Sequence, residues 1–149
     1  MTRQDIFDVV VTHLRRQVGR SYNEDTMECQ YFGEEGKRCA VGVLLPAEVQ
    51  ASAMGDEQGG HWNETGVPGI PRDIQREYLG VPPREGNGTE WEEAMGFLNR
   101  LQTVHDRRDN WGTDEDEDGN WTEGRFNRYG ESELLSVAKA YGVKVPEAK

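Results

Sequence analysis

The chain has 149 residues and a formal net charge of −11, from 28 acidic and 17 basic residues. This length favours one domain over 1–149 with a real hydrophobic core, and four Trp, five Tyr and four Phe argue against disorder. The charge disfavours duplex nucleic acid as a direct partner, because neutralising phosphates requires Lys and Arg, and no apolar run approaches the roughly 20 residues of a membrane span.

The N-terminal segment does not resemble a secretory signal, because Asp5 and Asp8 interrupt its apolar stretch. Two cysteines without a signal predict a reducing compartment in which both are thiols. The sequence therefore predicts a cytoplasmic protein.

The first half of the chain predicts a helix and a hairpin. Thr2 and Asp5 predict a capping box for a helix that ends at Val18. Two short runs, 28–32 and 37–41, flank a turn at 33–36 that contains two glycines and predict a β-hairpin. The alternative is a helix that begins near Cys39 and ends before Pro46.

The second half predicts mainly helix. Short helices are expected over 47–54 and 72–79. A long helix is expected from an N-cap at Thr89 to an end near Arg107 or Arg108, and a last helix over 132–141. A polar, acidic loop over about 110–125 separates the last two, and a frayed tail follows at about 146–149. The fold class expected is α+β: a mainly helical single domain with one short β-hairpin or small sheet.

Cys39 and His105 are the candidate catalytic pair, since a nucleophilic thiol needs a base that lowers its pKa. Asp106 should point about 100° away from His105 on the same helix, and we do not expect it to orient the ring. A zinc site from Cys29, Cys39, His61 and His105 is disfavoured by the nine residues between the cysteines. We therefore expect no metal, and no common cofactor motif is present.

Loop aromatics and arginines form the candidate ligand site. A planar ligand such as a nucleotide could stack on tryptophan, with a phosphate on Arg72, Arg76 or Arg84. The predicted ligand-binding residues are Trp62, Tyr78, Arg84 and Trp91. The alternative is that the tryptophans complete the core.

An acidic run is the candidate partner-binding surface: Asp114, Glu115, Asp116, Glu117 and Asp118. It matches the first half of an EF-hand loop, but Arg125 stands where a bidentate Glu is needed. A tight calcium site is therefore not expected, and the run instead suits a protein partner with a basic surface.

Three segments resemble a group of small, uncharacterised phage and bacterial proteins. The segment Cys39-x-x-Gly42-x-Leu44 is similar to their C-x-x-G-x-L element. The segment 70–80 resembles their LP-x-x-V-x-x-W-L-G motif, and 98–106 resembles a helix motif ending in His-Asp. The group has no settled activity. The resemblance implies a small accessory protein, in the host cytoplasm if phage-encoded, and a scaffold role for these segments.

The function expected is non-enzymatic binding by sequestration, of either a host defence protein or a small nucleotide signal. The first alternative is a thiol-dependent hydrolase or transferase that uses Cys39 and His105. The second is a structural or regulatory homo-oligomer.

Overall fold

The computed structural model describes residues 1–55, 61–115 and 117–147, with the side chains of Asp114 and Trp121 excepted. Over these residues five helices and two separate two-stranded antiparallel sheets form an α+β fold, which confirms the predicted class. In chain order the elements are α1 (Arg3–Arg16), β1 (Tyr22–Asn23), β2 (Glu28–Cys29), α2 (Gln50–Met54), α3 (Arg72–Tyr78), α4 (Thr89–Asp106), β3 (Trp111–Glu115), β4 (Trp121–Phe126) and α5 (Arg128–Tyr141).

Helix α1 begins as predicted, with a capping box in which the Thr2 side chain accepts from the Asp5 amide and the Asp5 carboxylate accepts from the Thr2 amide. It ends at Arg16, two residues before the predicted Val18. Val18 instead bridges to β4, and the next amide, of Gly19, donates to the carbonyl of Gly124 at 2.9 Å. The chain therefore leaves the helix to join the hairpin.

The predicted pairing of 28–32 with 37–41 is wrong. Strand β2 pairs with β1, so that Tyr22 faces Cys29 and Asn23 faces Glu28. Glu34–Gly36 and Gly42–Leu44 are 3-10 turns, and the second lies where the alternative interpretation placed helix. Burial explains why 37–41 does not form the predicted strand, because residues 39–42 are almost completely buried and pack against α1.

The predicted acidic loop over 110–125 is also wrong, since it contains the longer hairpin. Strands β3 and β4 pair with Thr113 opposite Glu123 and a bulge between Trp111 and Thr113. The hairpin is held at its base by Trp111, which is buried and lies edge-on to Phe126 at 5.3 Å between ring centroids. Packing of these rings outweighs the repulsion between the acidic side chains at the turn.

The starts of α4 and α5 differ from prediction. Thr89 is the first residue of α4 rather than its N-cap, which is Gly88 in a left-handed conformation (φ +74°). Helix α5 begins one turn before the predicted start, because the side chain of Asn127 accepts from the amides of Tyr129 and Gly130. Its predicted stop at Gly142 is confirmed by a left-handed C-cap.

The core lies between α1, α4 and α5, with the 39–45 segment beneath α1. Phe7, Leu14, Leu101 and Leu134 are among its fully buried side chains. Gly42 packs so tightly on the Tyr31 backbone that a Cβ would overlap the Tyr31 carbonyl oxygen. The 39–45 segment is therefore part of the scaffold of the fold.

Among the residues described, no helix combines the length and apolar character needed to cross a membrane.

Candidate functional site

Two polar regions lie at opposite ends of α4. We call them the buried network, formed by Ser21, Cys29, Gln102, His105 and Asp106, and the arginine groove, formed by Arg72, Arg76, Arg84 and Trp91. Each contains residues that the sequence singled out.

The buried network begins on the last turn of α4. Gln102 and Asp106 are four residues apart and share a helix face, and Gln102 Nε2 donates to Asp106 Oδ1 at 2.9 Å. The same oxygen accepts from His105 Nδ1 at 2.8 Å. The expectation that Asp106 cannot orient His105 is therefore wrong. Although the two residues diverge along the helix, Asp106 Oδ1 lies within hydrogen-bonding distance of both Gln102 and His105.

Hydrogen bonding fixes the state of His105. Its ring is fully buried, and the backbone amide of Ser21 donates to Nε2 at 3.0 Å. Because an amide nitrogen can only donate, Nε2 holds no proton and Nδ1–H donates to Asp106. The imidazole is therefore neutral, and its one basic nitrogen is already occupied.

Both cysteines are held as thiols. Cys39 is completely buried, and burial raises its pKa to about 12, although the Gly42 amide donates to its Sγ at 3.2 Å. Burial, and the Asp106 carboxylate to which the Cys29 thiol donates, raise the pKa of Cys29. A thiolate nucleophile is unfavourable at both positions near neutral pH. With Nε2 of His105 occupied, the geometry does not support the predicted Cys39–His105 catalytic pair.

By distance alone the network could hold a metal ion, because ligand atoms of Cys29, His105 and Asp106 all lie within 4.8 Å of one another. The tautomer of His105 opposes this. A metal bound to Nδ1 of His105 would displace the proton on that nitrogen, and the neutral ring would then carry its proton on Nε2. That proton would point directly at the amide hydrogen of Ser21. The residues therefore fit a hydrogen-bonded network better than a metal site. Of the other residues in the disfavoured zinc set, His61 is exposed.

The arginine groove is a cavity of about 500 Å³ between α3, the 81–85 segment and the start of α4. Arg72 and Arg76 line it from one face of α3, four residues apart. Arg84 lines it from the loop, with its guanidinium carbon 4.9 Å from the centroid of the Trp91 ring. This volume is within the range of small-molecule sites.

Buried residues of α3 and of the segment after it fix the position of the helix that carries Arg72 and Arg76. Gln75, between the two α3 arginines, is buried, and its side-chain amide donates to the carbonyl of Ile70 at 2.7 Å. Ile74, on the same helix, and Leu79, just after it, are buried in the core. The arginines are thus on a fixed helix, although their own side chains are exposed.

The charges of the groove are unbalanced. Among the described residues, no carboxylate forms an ion pair with any of its three arginines, and Glu85 is the one acid among the described residues that line it. The groove therefore has a local excess of positive charge in a chain of net charge −11. It can attract an anion, and its indole can stack on a planar group.

Of the four predicted ligand-binding residues, the structure brings Arg84 and Trp91 together in this groove. Tyr78 is half-buried and does not line it. Trp62 is 4% exposed, its ring centroid lies 5.7 Å from that of Tyr31, and its Nε1 donates to Ser52 Oγ. Its indole belongs to the core, so Trp62 corresponds to the structural alternative and is not available to a ligand.

The acidic run lies at the turn of the β3–β4 hairpin, with Asp114 and Glu115 ending β3 and Glu117 and Asp118 in the turn. Asp116 lies outside the described residues. Glu115, Glu117 and Asp118 are exposed, which suits a surface contact but identifies no partner.

Sequence reasoning did not find Ser21 or Cys29 as partners of the α4 residues. Ser21 and His105 are 84 positions apart, and Cys29 and Asp106 are 77 positions apart (106 − 29), so no local pattern contains either contact. Gln102 was visible only as part of the 98–106 motif. The two arginines of α3 could be found, because their spacing of four places both on one helix face.

Comparison of the chain with protein-family models, with curated proteins and with solved structures found no match.

Proposed function

We propose that this protein is a non-enzymatic binding protein that sequesters a small phosphorylated ligand in the arginine groove. The observation that carries the proposal is the set of three arginines around Trp91 that have no carboxylate partner among the described residues.

Electrostatics support an anion in this position. Arg72 and Arg76 carry like charges at positions i and i+4, which costs a helix about 0.2–0.5 kcal/mol. A chain with 28 acidic residues could neutralise them easily, yet elsewhere it pairs Arg15 with Glu131 and Arg20 with Glu123. A phosphate would relieve the repulsion and accept paired hydrogen bonds from the guanidinium groups.

The lining supports binding without chemistry. Its ionisable groups, among the described residues, are the three arginines and Glu85, and no Ser, Thr, Cys, Lys or His lines it. Nucleophilic catalysis needs such a group within reach of the ligand, and Glu85 alone could serve as a general acid or base. Capture in a one-to-one complex needs the arginines and the indole alone.

We include in the proposal the accessory role expected from the sequence, in which a phage-encoded protein withdraws a signalling nucleotide in the host cytoplasm. Its support is the acidic composition and the resemblance of the segments at 39–44 and 98–106. We place the ligand in the groove rather than a host protein on the acidic hairpin, because the groove shows a charge excess of the opposite sign to the chain.

Thermal melting with a panel of phosphorylated compounds tests this. With ligand at about 100 times Kd, linkage adds about 2.7 kcal/mol of stability, or a rise in Tm of about 5–10 °C for a domain of this size. Pyrophosphate and nucleoside 5′-monophosphates, titrated by calorimetry, give the affinities.

Substitution locates the site. Arg72→Gln, Arg76→Gln and Arg84→Gln should each weaken binding at least tenfold, because each removes a charge-assisted contact. Arg100→Gln is the matched control, since Arg100 is exposed on α4 and lines neither this groove nor the cavity beside it. No change in Tm across the panel, or equal losses in Arg100→Gln, would overturn the proposal.

A further inference from the structure

Trp91 is shared by two cavities. Beside the arginine groove lies a second cavity of about 580 Å³, which we call the amide cavity after Asn87. The two share Pro82, Pro83, Glu85 and Trp91, whereas Arg84 lines the groove alone. A ligand with an anionic end and a planar end could therefore contact both.

The amide cavity presents a different chemistry from the groove. It contains no arginine among its described lining residues and adds Asn87, Thr89 and Glu90. The carboxylate of Glu90 forms no ion pair with the residues described. The cavity thus offers acceptors, where the groove offers cationic donors.

The turn before α4 fixes the orientation of Asn87. Its Oδ1 accepts from the Thr89 amide at 3.1 Å and from the Thr89 hydroxyl at 2.7 Å. The side-chain oxygen is thus directed into the turn, and the Nδ2 amide group, with its two donors, remains for a ligand. An amide donor and a carboxylate acceptor thus line the same cavity as the indole of Trp91.

We propose that the ligand is a guanine nucleotide, with its phosphate on Arg72 and Arg76 and its base against Trp91 in the amide cavity. This rests on the proposed function and adds the identity of the base. The edge of guanine presents one acceptor, O6, and two adjacent donors, N1–H and N2–H₂. Asn87 Nδ2 supplies the donor for O6, and the two oxygens of the Glu90 carboxylate accept from N1 and N2. Aromatic stacking with hydrogen bonds to the base edge is how single bases are recognised.

Related bases fit less well. Adenine offers one amino donor beside an acceptor nitrogen, so one carboxylate oxygen would face a lone pair. Hypoxanthine keeps O6 and N1–H but lacks the amino group at C2. Sites built to hydrogen-bond a polar group reject analogues that lack it. Inosine 5′-monophosphate, whose base lacks only that amino group, is therefore the most stringent comparison for the proposed contact.

Calorimetry of the full chain tests the inference with four compounds: pyrophosphate and the 5′-monophosphates of guanosine, inosine and adenosine. We expect guanosine 5′-monophosphate to bind at least tenfold more tightly than the other two nucleotides. Equal affinity of the three nucleotides would overturn the base assignment while leaving the proposed function intact. Failure of all four compounds to bind would overturn both.

Two variants test the assigned contacts. Asn87→Asp keeps the oxygen that accepts from Thr89 but replaces the amide donor by an acceptor, so guanosine 5′-monophosphate should lose at least tenfold while pyrophosphate binding is unchanged. Glu90→Gln should likewise weaken the binding of guanosine 5′-monophosphate at least tenfold and leave pyrophosphate binding unchanged. Glu92→Gln is its control, because Glu92 is also an acid of the first turn of α4 but lines neither cavity. Equal losses in Glu90→Gln and Glu92→Gln, or equal losses of pyrophosphate and nucleotide in Asn87→Asp, would contradict the assignment.

Discussion

The buried network and the arginine groove lie at the two ends of one helix, and they differ in whether their polar groups are paired. At about 1.5 Å per residue, His105 lies roughly 21 Å along α4 from Trp91. In the network the polar groups hydrogen-bond to one another or to backbone atoms, and no buried side-chain nitrogen or oxygen among the described residues lacks a partner. In the groove, three arginines lie together, and none of them forms an ion pair with a described carboxylate. The residue types most typical of catalysis are thus hydrogen-bonded to one another, and the unbalanced charges lie where we propose that a ligand binds.

The largest expected effect is in the network. His105→Ala should lower the free energy of unfolding by about 3–5 kcal/mol, because it opens a cavity and leaves the Ser21 amide and one side of Asp106 without partners. Arg76→Ala in the groove should change it by less than about 0.5 kcal/mol, since its side chain is exposed. Urea denaturation measures both. Similar costs for the two variants would mean that the regions do not differ as described.

Backbone packing gives a second comparison, between a glycine of the 39–45 segment and one beside the groove. Gly42→Ala should cost about 2–3 kcal/mol, because the new Cβ overlaps the backbone of Tyr31. At Gly66, in the turn that leads to α3, a Cβ would meet one atom, Cδ of Pro68, at an ordinary 3.6 Å. Gly66→Ala should therefore be neutral or slightly stabilising, and thermal melting separates the two. A neutral Gly42→Ala would show that the segment can move away from Tyr31.

The helices and the fold class could be predicted from local pattern. Caps such as Thr2 and apolar stripes such as that of α1 are formed by neighbours in sequence. The strands could not be predicted in the same way. Strand β2 has two residues, too few for a pattern, and its partner β1 lies in a polar stretch.

In the candidate site, too, contacts between neighbours in sequence could be predicted and contacts between distant residues could not. Arg84 and Trp91 are seven residues apart and could be predicted together, whereas the core position of Trp62 depends on Tyr31, which is 31 residues away. His105 and Asp106 are adjacent in sequence, yet their contact depends on side-chain conformations at a helix end. The hairpin at 111–126 was hidden by its acidic turn, because the apolar contact that stabilises it joins Trp111 to Phe126 across the whole segment.

The smallest expected effect concerns Cys39 and appears only in alkaline solution. Burial raises the pKa of Cys39 to about 12 from an ordinary value of 9.0. Above pH 9 the unfolded chain loses this proton while the folded chain keeps it, so stability falls as pH rises towards 12, by at most about 1.4 kcal/mol per pH unit from this group. Cys39→Ala should have a shallower decline over the same range, measured by urea denaturation at pH 8, 9 and 10. Cys29, Tyr31 and other alkaline groups remain in both proteins, so the difference between the two slopes isolates Cys39. Parallel slopes, or alkylation of Cys39 in the native protein at pH 8, would mean that solvent reaches this thiol, and would support the alternative in which Cys39 and His105 form a catalytic pair.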